Sequence, residues 1–389
     1  MCANILSEPG AKPVRLHYLD WLRVIAIFCV FLFHSLHVFD LGYYWHIKKA
    51  EQSLELSIVL ILFSLWGLPF FFMIAGTGSW FALGRRSASQ YASERFRRLA
   101  VPFVVGAILF MPVMLYFEWS HGTRTGALSI PFQDFAMRPI QGFTPMWFGT
   151  LGYHLWFLGF LFSFALLSLP LFLWWKGPSG QRMLAWMAGW CEHRGGILLF
   201  IIPLALIRFT ILPFFPSEHD WGDFAFQGAF FVLGFVLFSD HRFAQAIRRD
   251  WLIVLITGIA GVVALFVLYF FGDPFTWVSN PKIPEFYLVQ LLVTVLAFCW
   301  SVFMLFIGMR FLDFTSEALR YAQQAVLPFF IVHQPVVIVV AFFVVQWDAG
   351  IPLKAIVVIS GALVACLTLY EFVIRRIGLF RTIFGMTAA

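Results

Sequence analysis

Leu19-Asp20-Trp21-Leu22-Arg23 opens a run in which ten apolar residues, Val24 to Phe33, separate the arginine from His34. A helix of about 20 mostly apolar residues matches a hydrocarbon core roughly 30 Å thick, so this segment reads as a membrane span. At about 100° per residue, Arg23 and His34 fall roughly 20° off one line and about 16 Å apart along the axis. Asp20 lies about 60° to one side of that line and His37 about 40° to the other. Four polar groups therefore share one face of a helix whose opposite face is Ile, Phe, Val and Leu. Ionisable groups inside a span are costly and mark function by default. A plainer alternative stays open, in which Asp20 and Arg23 form an interfacial ion pair and His34 bonds a neighbouring helix.

The rest of the chain agrees with a membrane setting. Of its 389 residues 61% are apolar and 12% charged, where a soluble domain carries about 45–50% and about 25%. The mean hydropathy is +0.86. A soluble enzyme, a secreted disulfide scaffold and a disordered chain are excluded. Apolar windows near 18–39, 56–83, 99–118, 153–175, 195–214, 224–239, 252–271, 285–309, 325–346 and 353–374 predict an all-α, polytopic membrane helix bundle of about ten transmembrane helices. None shows the alternation of barrel strands. The first run extends past a signal-peptide core and contains Arg23, so it reads as a retained span. The expected organisation is a cytoplasmic tail over 1–17, one membrane domain over 18–380 and a second cytoplasmic tail over 381–389.

Charge sets the orientation. With both termini inside, the inner segments hold 18 Lys and Arg: Lys12, Arg15, Arg85, Arg86, Arg95, Arg97, Arg98, Lys176, Arg182, Arg194, Arg242, Arg248, Arg249, Arg310, Arg320, Arg375, Arg376 and Arg381. The outer segments hold six: Lys48, Lys49, Arg124, Arg138, Lys282 and Lys354. This bias follows the positive-inside rule and accounts for the net charge of +6 without a nucleic-acid partner. Cys2, Cys29, Cys191, Cys299 and Cys366 are scattered, with no spacing for zinc or a disulfide framework, and no metal site is expected. The outer segment 119–152, with Pro131, Pro139 and Pro145, is either a substrate lid or a passive interfacial loop.

The motifs along the chain carry a resemblance. Its Leu-Asp-x-x-Arg opening, with Arg23 and His34 ten residues apart, resembles the start of acyltransferase family 3. Pro69-Phe70-Phe71-Phe72-Met73-Ile74-Ala75-Gly76 is similar to that family's second-span Phe-Phe-x-x-Ser-Gly element, with Ala75 where the family has Ser. Arg95-Phe96-Arg97-Arg98 before Pro102, and Phe329-Phe330-Ile331-Val332-His333-Gln334-Pro335, resemble two further elements. His154-Leu155-Trp156-Phe157-Leu158, Arg208 and Leu369-Tyr370-Glu371 resemble the family's glucan-biosynthesis branch. Thr77 or Ser79 substitutes for the missing Ser, or the position needs only a small residue for helix packing.

The resemblance implies an O-acyltransferase of the bacterial inner (cytoplasmic) membrane. It would move an acyl group from cytoplasmic acyl-CoA, a co-substrate rather than a bound cofactor, to a sugar hydroxyl of a cell-envelope glycan. The expected catalytic residues are His34, Arg23 and Asp20. A hydroxyl is a poor nucleophile near neutral pH and a positioned His can take its proton; His34 could instead carry the acyl group. Arg23 would hold the thioester side or a donor phosphate. Arg95 and Arg98 would grip the donor's phosphates, unless the arginine-rich loop 85–98 is only a topological anchor. His154, Trp156, Arg208 and His333 complete the expected substrate-binding set. His154 either faces a cavity with His34 or packs. A buried Arg208 needs a partner, and Glu118, Glu371 or an anionic substrate are the candidates. Pro335 frees a carbonyl about four residues back, so a kink alone accounts for it.

Two other function classes remain. A secondary transporter or flippase for a lipid-linked sugar suits polar stripes and kinked spans, although no internal repeat is visible. A glycosyltransferase would want an outer acidic cluster, and Glu218, Asp220 and Asp223, beside His219, are the only such group.

Overall fold

The computed structural model describes residues 16–42, 45–48, 51–121 and 145–386. Most of the expected N-terminal tail, the last three residues, and the outer segment over 122–144 with Arg124, Pro131, Arg138 and Pro139 lie outside the described residues.

In chain order the α-helices are α1 (His17–Leu36), α2 (Leu54–Leu83), α3 (Ala88–Arg95), α4 (Val101–His121), α5 (Met146–Gly152), α6 (Trp156–Leu167), α7 (Leu169–Lys176), α8 (Pro178–Trp190), α9 (Ile201–Thr210), α10 (Trp221–Leu237), α11 (His241–Arg249), α12 (Trp251–Phe271), α13 (Pro274–Ser279), α14 (Pro284–Phe311), α15 (Glu317–Val344), α16 (Ile351–Leu369) and α17 (Gly378–Ile383). No strand occurs among the described residues. A π-turn, Phe96–Ala100, joins α3 to α4, and a second, Tyr370–Ile374, extends α16.

Among the described residues, seven helices are long and apolar enough to cross a membrane, or up to nine if each of two bent pairs is one span. The sequence expectation of about ten is therefore approximate. Its window at 195–214 holds only a 3-10 turn and a short helix, together Gly196–Thr210, below the ~17 residues a span needs. The second bent pair breaks sharply. α11 turns 104° away from α10, with Asp240 accepting a hydrogen bond from the Arg242 backbone N–H at 2.9 Å to cap the new helix. It buries Phe243, Ala246 and Ile247 and leaves Arg248 exposed, the pattern of a helix lying at the interface.

The chain divides into two compact units. The first comprises Met1–Val24, Leu65–Ser93 and Ser163–Arg320. Its core is set by close backbone approach of α2 and α10. A Cβ on Gly76 would lie 1.8 Å from the Phe231 carbonyl oxygen, and one on Gly234 would lie 1.9 Å from that of Met73. Only glycine fits either position. Around this contact Phe172 stacks on Phe235 with centroids 3.9 Å apart. Arg249 closes the connection before α9 by donating to the carbonyls of Cys191, Glu192 and His193 and pairing with Asp250.

The second unit comprises Ile25–Ser64, Glu94–Phe162 and Tyr321–Ala389. Here Gly106 of α4 lies against Leu155 and Ile331, where an added Cβ would stand 2.6 and 3.3 Å from their side chains. This contact brings together α4, the turn before α6 and the middle of α15. Phe31, fully buried, packs edge-on against Phe329 at 5.4 Å. The candidate site is built in this unit.

Candidate active site

α1 delivers His34 in its last turn, and α15 delivers His333 at mid-length. His333 Nδ1–H donates to the Phe330 carbonyl at 2.6 Å. A carbonyl can only accept, so the proton on His333 sits at Nδ1 and its Nε2 carries a lone pair. That nitrogen lies 2.8 Å from His34 Nδ1, which must therefore donate. The two rings are nearly coplanar, 3° apart, with centroids at 5.0 Å. One backbone carbonyl thus fixes two tautomers in series and leaves the lone pair of His34 on Nε2, the assignment following from the hydrogen-bond network. His34 is half-buried, whereas His333 is fully buried.

His154 joins them. Its ring is 5.4 Å from that of His333, at 87°, and its Nε2–H donates to the Ile331 carbonyl at 3.0 Å. Ile331 is four residues before Pro335, which has no N–H to offer it. The carbonyl released by the proline is the acceptor that holds His154. The residue before it, Tyr153, has φ 47°, a left-handed conformation that is costly for a non-glycine residue. His154 Nδ1 is buried and has no hydrogen-bond partner among the described residues.

A third layer comes from a loop. Gln334 Nε2–H donates to His46 Nε2 at 2.6 Å, leaving His46 Nδ1–H directed to the Glu118 carboxylate at the far end of α4. Trp45 lies between the histidines, its ring 5.2 Å from His34, 4.7 Å from His37 and 4.9 Å from His46. Its indole N–H is buried without a partner among the described residues. Lys48 ties the loop down by donating to the His37 and Asp40 carbonyls at 2.8 and 3.0 Å and pairing with the Asp40 carboxylate. Burial would raise the Asp40 carboxyl, but hydrogen bonds from His37 and Lys48 hold it below the usual carboxylate range.

Of the residues expected from the sequence, His34, His154 and His333 are therefore brought together. Arg23 Nη1 donates to Asp20 Oδ1 at 3.0 Å, so the interfacial pair forms; both fall in the first unit and His34 in the second. Trp156 packs on Phe160 at 4.8 Å. Arg98 donates to Glu94 at 3.3 Å. Arg95 and Arg98 precede Gly106 by roughly 12–16 Å of helix, and Gly106 touches the residues flanking His154 and His333. Arg208 requires a correction: its partner is neither Glu118 nor Glu371. Its Nε and Nη2 donate to Gln290 Oε1 at 3.0 and 2.6 Å and its guanidinium covers the Phe226 ring at 4.6 Å. Glu118 serves His46, and Glu371 pairs with Arg375.

Thr77 donates to the Ile74 carbonyl and Ser79 bonds the Tyr91 hydroxyl. In the acidic group at 218–223, Asp220 and Asp223 accept from the backbone N–H of Trp221 and His219. No group of three or more His, Cys, Asp or Glu arranged to hold a metal ion occurs among the described residues. Sequence reasoning missed Trp45, His46 and Lys48, which lie in a polar connection with no periodicity, and gave Glu118 the wrong partner. A two-histidine span facing a carboxylate on another helix was the only available signal.

Comparison with known proteins agrees with this architecture. The acyltransferase domain of acyltransferase family 3 matches residues 16–371. Glucans biosynthesis protein C of Salmonella paratyphi A, and that of Salmonella agona, are each 23% identical over 346 residues, covering 82% of this chain and 82% of theirs. The Salmonella dublin protein of the same name matches equally. No solved structure matches. A family match over nearly the whole of an apolar, all-helical chain, with clustered histidines in its spans, places this protein in acyltransferase family 3 as a multi-pass membrane acyltransferase.

Proposed function

We propose that the protein moves an acyl group from an acyl-CoA donor on the cytoplasmic side to a hydroxyl of a carbohydrate acceptor, with His34 as general base. The observation that carries this is the fixed tautomer: His34 Nδ1–H is spent on His333, so Nε2 offers its lone pair. The acceptor hydroxyl gives its proton to that nitrogen as its oxygen attacks the thioester carbonyl carbon. The C–S bond then breaks, and the departing thiolate takes the proton back from the imidazolium. Trp45 Nε1–H, a buried donor with no other use among the described residues, is the group beside His34 to receive the negative charge on the carbonyl oxygen.

The acceptor class follows from the polarity of the stranded groups. His154 Nδ1 and Gln334 Oε1 are buried acceptors without donors among the described residues, and His34 Nε2 carries a lone pair. Unmet buried acceptors are costly and suit a ligand bringing several O–H groups, as a sugar does. The name of the Salmonella relatives, glucans biosynthesis protein C, supports a glucan. Donor binding at Arg95 and Arg98 suits a long, thin molecule with phosphates at one end and a thioester at the other, because roughly 12–16 Å of helix separate those arginines from Gly106. The positive-inside bias supports inner-membrane placement, and it puts both termini in the cytoplasm only if the short apolar segment Gly196–Thr210 also crosses, because the charges alternate over ten spans. The test is acyl transfer by purified protein. His34→Ala is expected to lower turnover about 10²–10⁴-fold with normal protein yield; wild-type turnover in that variant would refute the assignment.

A further inference from the structure

The first unit carries a cavity that the histidines do not line. It has a volume of about 590 Å³ and is lined by Arg248, Trp251, Phe303, Phe306, Ile307, Met309, Arg310 and Phe311. Its shape comes from two helices. α12 and α14 approach closely where Gly258 and Gly261 face Cys299 and Leu296, with Cβ positions 3.5 and 3.1 Å from their side chains. Nearer the inner end the contact is made by large rings: Trp251 stacks on Phe306 at 5.1 Å and 5°, and Phe303 lies 6.1 Å from Phe306.

Two guanidiniums close the inner end of this apolar groove; Arg248 lies within electrostatic reach of Tyr18, as does Asp313. Arg248 and Arg310 make no hydrogen bond or ion pair among the described residues; Arg310 has only a cation–π contact with Phe311 at 5.5 Å. Arg242 and Arg249, on the same helix as Arg248, differ sharply. Arg242 pairs with Glu192 and Asp240, and Arg249 with Asp250 and three carbonyls. Asp313, just beyond α14, makes no ion pair with either lining arginine.

We propose that this cavity is a binding site for an anionic phospholipid. The lipid phosphate sits between Arg248 and Arg310, and its glycerol and first chain carbons lie along Trp251, Phe303, Phe306 and Ile307. Charge complementarity selects an anion, since paired guanidiniums match phosphate oxygens in a bidentate way. The walls select a lipid over a soluble anion. The groove continues onto the exposed face of α12, where Leu252, Ile256, Ile259 and Val263 are 48–58% exposed, so the chains run out into the bilayer without a break. The level is also right: Arg248 ends the interfacial helix α11, at headgroup depth.

Native mass spectrometry of the purified full chain in detergent, titrated with phosphatidylglycerol or phosphatidylcholine of equal chain length, tests this. Phosphatidylglycerol is expected to be retained as a one-to-one adduct more than tenfold more strongly than phosphatidylcholine. R248A/R310A should abolish the preference, and R248K/R310K should keep part of it. A control that removes two positive charges elsewhere, R182A/R376A, should leave it intact. Equal loss in the control would mean bulk charge and overturn the site. Displacement of the lipid by free coenzyme A, or retention unaffected by R248A/R310A, would overturn it as well. Because the readout is lipid retention, failure here leaves the acyl-transfer assignment untouched.

Discussion

His333→Ala tests the tautomer chain, because it removes the only acceptor for His34 Nδ1–H among the described residues. The lost bond is 2.8 Å long, and a net worth of about 0.5–1.5 kcal/mol is typical of such a contact. That energy biases His34 towards the tautomer with a lone pair on Nε2. At about 1.36 kcal/mol per tenfold, releasing it changes the tautomer ratio roughly two- to tenfold and lowers the productive population, and with it kcat, by up to that factor. His34→Ala, which removes the base itself, costs about 10²–10⁴-fold. His333→Gln restores an acceptor oxygen and should recover part of the loss. The assay is release of coenzyme A thiol from an acyl-CoA by purified protein in the presence of a glucan, with donor KM and kcat measured separately across pH. A positioning role lowers kcat and leaves donor KM unchanged. Two results would refute the reasoning: wild-type kcat in His333→Ala, or a loss as deep as that of His34→Ala, which would put His333 in the proton transfer.

Four further outcomes are expected. Arg95→Ala/Arg98→Ala should raise the apparent KM for acyl-CoA about tenfold or more while changing kcat less, the signature of lost uniform binding; normal KM would leave the loop as an anchor. Trp45→Phe keeps the ring and removes the N–H, and should lower kcat about 10²-fold, read in the same thiol-release assay; an unchanged kcat would remove the indole from the chemistry. Because the native Asp40 carboxyl is held low, its clasp with Lys48 stabilises the outer loop fully above about pH 3.9 and loses that contribution as pH falls through the lowered native value. Asp40→Asn should therefore lower the thermal unfolding temperature at neutral pH and flatten its acid dependence, measured by a melting series from pH 7 to pH 3. Single cysteines placed in 84–98 and in 119–152 should label from opposite sides of the membrane; equal access from outside would refute the orientation.

The sequence made the membrane character and the helical class legible because both depend on summed composition, which tolerates local error. It overcounted the spans where composition and geometry part. The window at 195–214 is apolar enough, yet its chain bends into a 3-10 turn and stops at Thr210. His34 was legible because one helix carries the periodicity that singles it out. Its tautomer was not, since that depends on a carbonyl at Phe330, 296 positions away in sequence. Trp45, His46 and Lys48 were invisible for the same reason: a loop has no period, and only the fold brings Glu118 and Gln334 to them. Arg208 shows the limit from the other side: neither carboxylate sought for it pairs with it, and the fold supplies an amide oxygen, an aromatic face and the nearby charge of Asp223.

Pro335 shows how a structural explanation and a functional one can be the same event. A proline inside α15 deletes one i to i−4 hydrogen bond, and a kink would account for that residue with no reference to function. The deletion leaves the Ile331 carbonyl without its helical donor in a buried setting, where an unmet acceptor costs about 1–3 kcal/mol. His154 Nε2–H meets that need at 3.0 Å. The same bond settles where His154 keeps its own lone pair, on the buried Nδ1 that has no partner among the described residues. Two residues before the proline, His333 stands against the Phe330 carbonyl and transmits a second tautomer choice to His34. The proline thus frees the acceptor that orients His154, while the Phe330 carbonyl, which Pro335 leaves untouched, orients His333. Those acceptors decide which ring nitrogens are left free to meet a hydroxyl.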